Sequence, residues 1–76
     1  MHEILIIWTM PKDINRLKVV LAEQKRTGRW LAEQLDKDPT TVSKWCSNTI
    51  QPSLDTLNKI SNLLEVDIKD LLNSTR

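Results

Sequence analysis

The sequence predicts an all-α domain of five short helices, with a candidate β-strand at its start. Three observations predict it. From Ile14 onward, apolar residues recur three and four positions apart, the spacing that places side chains on one side of a helix. Residues whose side chains accept hydrogen bonds from free helical N–H groups, namely Asp13, Thr27, Asp38, Ser53 and Asp67, stand just before the apolar runs. Pro39 follows Asp38 directly and suits a first helical position, where its missing N–H is not needed.

The chain has 76 residues, enough for one domain with one small core. A hydrophobic fraction of 39% and a charged fraction of 28% are those of a globular domain rather than a disordered tail. Cys46 stands alone, so no internal disulfide is expected, and no Cys/His cluster has the spacing of a zinc site. Neither a metal nor a cofactor is expected, and a reducing cytoplasm is the expected location. The net charge is +1, from 11 Lys and Arg against 10 Asp and Glu, so total charge gives no support to nucleic-acid binding. Distribution has to decide that question, because a near-neutral protein can still present one basic face. Enzyme chemistry has thin support, and no enzyme is expected: His2 is the one histidine, best read as an exposed terminal residue, and there is no glycine-rich phosphate loop.

Taken in order, residues 1–12 form an N-terminal extension or dimerisation strand, and residues 13–76 the folded helical domain. Ile4-Leu5-Ile6-Ile7-Trp8 is a continuous apolar, largely β-branched run without helical period, which reads as a strand. It is too short to span a membrane and lacks the basic start and cleavage site of a signal peptide. A lone strand has unpaired backbone groups on both edges. Three readings stay open: an extension outside the fold, with Met10 a second candidate start; a strand that pairs with its copy in a second subunit; or packing against its own helices.

Met10-Pro11-Lys12 breaks that run, and Asp13 is expected to cap a first helix over 14–26, with Ile14, Leu17, Val20 and Leu21 inward. Thr27 opens a second helix whose inner face is Leu31, Ala32 and Leu35, with Trp30 at the rim. A tight turn at Asp36-Lys37-Asp38 leads to a third helix from Pro39 or Thr40 to about Ser47, with Val42 and Trp45 inward. Asn48 tolerates positive φ and is expected to end it. Ser53 caps a fourth helix carrying Leu54, Leu57, Ile60, Leu63 and Leu64, and Asp67 caps a last short one carrying Ile68, Leu71 and Leu72.

In order and spacing, several motifs resemble the Cro/CI-type, or XRE, phage-repressor family of helix-turn-helix DNA-binding domains. They are Leu31-Ala32, the turn after Leu35, Thr40-Thr41-Val42-Ser43-Lys44-Trp45, Pro52-Ser53-Leu54-Asp55-Thr56-Leu57 and Val66-Asp67-Ile68-Lys69-Asp70-Leu71-Leu72. The resemblance covers roughly residues 14–72 and implies a five-helix lambda-repressor-like fold. The chain departs from the family at five positions. Asp36 and Lys37 stand where the family usually has Gly and then an apolar residue, and Cys46 and Asn48 where it commonly has Glu and Gly. Gly28 stands where many members carry a phosphate-contacting Gln.

The resemblance implies that the third helix enters the major groove of double-stranded DNA with its N-terminal residues toward base edges. Thr40, Thr41 and Lys44 are then the candidates for base contact: a threonine offers a hydroxyl and a methyl, and Lys44 can donate to guanine O6 and N7. Read without the resemblance, the threonines are helix initiators and Lys44 a solvated charge. Ser43, Ser47, Thr49 and Gln51 are expected beside the DNA backbone, with the Gly28 N–H, Arg29 and Lys37 adding contacts, while Asp36 and Asp38 weaken the local positive field. Moderate affinity per subunit is expected, so specific recognition calls for a homodimer on two half-sites about 34 Å apart, with Ile4 to Trp8 as the candidate pairing segment.

The implied function is a sequence-specific transcriptional regulator, expected to act as a repressor. The alternative is an antitoxin-like protein-interaction module in which the N-terminal run and exposed Trp residues grip a protein partner, with DNA binding secondary. Cys46 reads as a small packed residue rather than a redox switch, since no resolving Cys is present.

Overall fold

The computed structural model describes residues 13–73, so the candidate strand at Ile4 to Trp8 and the rest of the N-terminal extension lie outside the described residues. Within them the chain forms four α-helices, α1 (Leu17–Glu23), α2 (Gly28–Leu35), α3 (Pro39–Cys46) and α4 (Leu54–Leu64), followed by a 3-10 helix over Ile68–Leu71.

Capping chosen by local sequence accounts for three of the four helix starts. Thr27 Oγ1 accepts from the Trp30 N–H at 3.0 Å, Asp38 Oδ1 from the Thr40 N–H at 2.9 Å, and Ser53 Oγ from the Thr56 N–H at 3.1 Å. Each bond satisfies a donor that the first helical turn leaves free, an effect of about 1 kcal/mol. The helix ends share one device. Lys25, Asp36, Asn48 and Glu65 all have φ near +60°, and the residue after each donates to the carbonyl five positions back. These bonds are Arg26 to Leu21 at 2.8 Å, Lys37 to Ala32 at 2.9 Å, Thr49 to Lys44 at 2.9 Å and Val66 to Ser61 at 3.0 Å. Four left-handed helix terminations are thus made without a glycine, against a steric cost that Cβ imposes at each.

Two expectations need correction at the ends of the domain. The first helix starts at Leu17 rather than Ile14, and Asp13 does not cap it. Residues 14–16 are instead drawn into an antiparallel bridge with residues 71–73, in which the Arg16 N–H donates to the Leu71 carbonyl and the Asn73 N–H to the Ile14 carbonyl, both at 2.8 Å. Ile14 is therefore off the helix and half exposed. The same bridge limits the expected fifth α-helix to a single 3-10 turn, because Leu72 is pulled into an extended conformation opposite Asn15.

The core is one cluster: Leu17, Val20 and Leu21 from α1, Leu31 and Ala32 from α2, Val42 and Trp45 from α3, Leu57, Ile60 and Leu64 from α4, and Leu71. Each fully buried Leu or Ile here contributes about 2 kcal/mol through removal of apolar surface from water. α2 and α3 are the most closely associated pair, α1 rests on α3, and the 3-10 helix packs against both α1 and α4. Leu54 matches the apolar spacing of α4 but is 75% exposed, because it occupies the first helical position, ahead of the stripe formed by Leu57, Ile60 and Leu64. No helix among the described residues is long and apolar enough to cross a membrane.

Candidate nucleic-acid interface

α3 is a two-sided helix held on one side only. Val42 and Trp45 are buried against the core, while Thr40, Ser43, Lys44 and Ser47 are exposed and Thr41 is half-buried. The helix is fixed at its start by the Asp38 cap and Pro39. Along its flank it meets the start of α2, where a Cβ built on Gly28 would lie 3.5 Å from Val42 Cγ1, an ordinary contact distance. Gly28 is thus a close but not a crowded neighbour of α3.

Around this helix, Arg29, Lys37, Thr49 and Gln51 are exposed and Gly28 is half-buried. Among the described residues the one ion pair is Lys59 with Asp55 at 3.5 Å, on the exposed side of α4. The charges of Arg29, Lys37 and Lys44 are consequently not neutralised by an ion pair within this set. Asp38 turns its carboxylate to a backbone N–H of α3, which lessens the competition it offers to incoming phosphate. Ser47 and Thr49 share a hydrogen bond between their hydroxyls at 2.7 Å, and Ser47 Oγ also approaches the Lys44 carbonyl at 3.2 Å. The two hydroxyls form one small polar unit just beyond the end of α3.

Gln51 is exposed, but its side-chain amide is already engaged within the chain. Its side-chain carbonyl accepts from Asn15 Nδ2 at 2.8 Å, and its Nε2 donates to Asn48 Oδ1 at 3.1 Å. The group is occupied in holding the α3–α4 loop.

That loop is organised by residues to which sequence reasoning gave no such role. Asn15 is 3% exposed, yet its side chain is fully partnered: Nδ2 donates to the Trp45 carbonyl at 2.9 Å and to Gln51, and Oδ1 accepts from the Leu17 N–H at 2.9 Å. Asn48 was expected only as a helix terminator. Its Oδ1 also accepts from the N–H groups of Ile14 and Asn15, both at 2.9 Å, and its Nδ2 donates to the Asn15 carbonyl at 3.1 Å. The one available signal was an Asn two residues before the first buried Leu, a position from which its side chain reaches a free helical N–H.

Two further features complete the surroundings. The Arg26 guanidinium lies 4.4 Å from the centre of the Trp30 ring, a cation–π contact that covers the half-buried indole at the α1–α2 turn. Cys46 is half-buried, and desolvation pushes its thiol up from the ordinary value, with the positive charge of Lys18 acting in the opposite direction.

Comparison with known proteins agrees with this geometry. Residues 16–75 match the model of the Cro/C1-type HTH DNA-binding domain. A crystal structure of a candidate DNA-binding protein from Bacteroides fragilis is similar to the chain at a TM-score of 0.78 and 60% identity, over 79% of this chain and 97% of that one. No curated protein matches. With most of its length matched and its α2–turn–α3 unit in place, the chain belongs to the Cro/C1-type helix-turn-helix DNA-binding domain family.

Proposed function

We propose that the chain is a sequence-specific DNA-binding transcriptional regulator, acting as a repressor, whose α3 reads the major groove of double-stranded DNA. The observation that carries this reading is the division of α3 into a buried face, Val42 and Trp45, and an exposed face made of small hydroxyls and one lysine. Such a face fits base edges without steric conflict. In this reading Thr40 and Lys44 contact bases, with Thr41 contributing from its half-buried position. Ser43, Ser47, Thr49, Arg29, Lys37 and the Gly28 N–H contact the DNA backbone, and Gln51 acts on the loop rather than on phosphate. We assign residues 13–76 to DNA recognition and residues 1–12 to pairing of two copies through Ile4 to Trp8. The site of action is the cytoplasm, and the chain performs no catalytic step. Selection of bound sequences from random double-stranded DNA tests the proposal: enrichment of a two-fold-related site is expected, and failure to enrich any sequence at low salt would overturn it.

A second reading, an antitoxin-like module that grips a partner protein, is favoured by one observation. Ile50 and Leu54 are exposed at the junction of the α3–α4 loop with α4, at 45% and 75%. Removal of residues 1–8 separates the two roles of the extension. Loss of the dimer identifies a pairing strand, and loss of a co-purifying protein with the dimer intact identifies a partner-binding arm.

A further inference from the structure

Among the described residues, the one extensively buried polar side chain near α3, that of Asn15, belongs to neither helix of the helix-turn-helix unit, and both partners of its Nδ2 lie at one end of the proposed reading helix. Its Nδ2 holds the carbonyl of Trp45, in the last turn of α3, and the side chain of Gln51, in the loop that follows. Asn48, between them, binds the backbone of Asn15 in return through both atoms of its own amide. A third chain position, Leu17 at the start of α1, is tied in by Asn15 Oδ1. The C-terminal end of α3, with Lys44 on its last turn and Ser47 and Thr49 just beyond, is thus fastened to the start of α1 by hydrogen bonds, whereas at its N-terminal end the one side-chain hydrogen bond among the described residues is its own cap. Hydrogen bonds are directional, so this clip restricts the rotation and tilt of α3 in a way that apolar packing of Val42 and Trp45 alone does not.

We infer that Asn15, Asn48 and Gln51 form a positioning clip that sets the angle at which α3 meets DNA, and that Asn15 is thereby a specificity-determining residue that touches no base. The inference rests on the proposed DNA-reading role of α3. Loosening the clip displaces the C-terminal half of α3, which bears Lys44, together with Ser47 and Thr49 just beyond it, and leaves the half that bears Thr40 in place. Sequence preference then falls at the base positions served by the C-terminal half, while the positions served by Thr40 keep theirs.

The test uses the whole chain with the substitutions Asn15→Asp and Gln51→Met, the second at an exposed position where folding is retained. Binding is measured to the site enriched by the unmodified chain and to a scrambled duplex of equal length, alongside thermal melting. Loss of the Asn15 donor is expected to lower the ratio of the two affinities about tenfold, the equivalent of one well-made buried hydrogen bond. Gln51→Met is expected to lower it several-fold, with a fall of a few degrees in melting temperature from the Asn15 donor left unpartnered. A purely structural role would weaken both duplexes together and leave the ratio unmoved, which would overturn the clip. Should Asn15→Asp not fold, Gln51→Met decides alone, by the same criterion. If the unmodified chain shows no preference at all, the DNA-reading role of α3 fails and the clip falls with it. Retained preference in the unmodified chain with an unmoved ratio in the variants overturns the clip alone.

Discussion

Asn48 and Asn15 grip each other reciprocally: Asn48 Oδ1 accepts the Asn15 N–H at 2.9 Å while Asn48 Nδ2 donates to the Asn15 carbonyl at 3.1 Å. A side-chain amide here pairs with a backbone segment as a neighbouring strand would, and it does so from a residue that also supplies the left-handed turn ending α3.

Two glycine substitutions at the same φ are therefore expected to have opposite signs. At Glu65, exposed and bonded through its backbone alone among the described residues, Glu65→Gly relieves the Cβ strain of the left-handed region. After the entropy cost of glycine the net gain is about 0.5 kcal/mol. At Asn48 the same relief is outweighed by loss of the amide, and Asn48→Gly is expected to cost about 2 kcal/mol. Thermal melting of both variants checks this, with Asn48→Gly melting roughly 8 °C or more below the parent. Equal shifts would mean that the amide contributes nothing.

Gly28 offers a gain in both stability and binding. Its φ is not positive, and a Cβ would meet Val42 at ordinary contact distance, so Gly28→Ala is expected to stabilise by about 0.5 kcal/mol through the unfolded chain. Gly28→Gln adds a side chain able to reach phosphate from the first turn of α2. It is expected to tighten binding to all duplexes without changing the preferred sequence, as a titration against matched and scrambled DNA would report.

Lys44→Ala is expected to weaken binding to the selected site by about tenfold, with the folded helix content unchanged by circular dichroism. If Lys44 reaches a base, preference at that base relaxes. If it reaches phosphate instead, the slope of log affinity against log salt falls by about 1 and preference stays. Binding that is unaltered in both respects removes Lys44 from the interface.

Cys46 is expected to be poorly reactive. Burial raises its thiol above the ordinary value, so at neutral pH the thiolate is scarcer than for a free cysteine, and alkylation of the folded chain should lag behind that of the unfolded chain. The linkage has a definite sign. As pH rises past the ordinary thiol range the unfolded chain releases its proton first, so stability falls from there up to the folded value. Cys46→Ala should remove that part of the alkaline decline, leaving a flatter melting profile.

What the sequence revealed and what it concealed divide by the distance over which bonds act. The caps Thr27, Asp38 and Ser53 reach donors two or three residues away, and their side-chain chemistry alone specifies them. The positive φ at Asn48 was legible for the same reason. The start of α1 was not, since the periodicity that includes Ile14 is genuine but is overridden by a bridge to residues 71–73. Asn15 was hidden because its Nδ2 partners lie 30 and 36 positions along the chain, where no local pattern records them. Leu54 shows the converse case: its spacing fits a buried stripe, but the helix starts there and no neighbour covers it. On the interface, the exposed set on α3 follows from the helix period once Val42 and Trp45 are inward. The engagement of Gln51 depends on Asn15 and so stays invisible with it.

The antiparallel bridge between residues 14–16 and 71–73 bears on how the domain responds to load. Asp13 and Asn73 stand side by side, joined by a bond from Asn73 Nδ2 to the Asp13 carbonyl at 2.8 Å. Tension applied between these two positions is expected to load this pairing before the helices. The paired segments are then expected to peel apart from that end, the Asn73–Ile14 bond before the Arg16–Leu71 bond. Because Ile14 and Asn15, both bonded to Asn48 Oδ1, lie in that segment, load on the chain ends is expected to reach the end of α3 through the same residues.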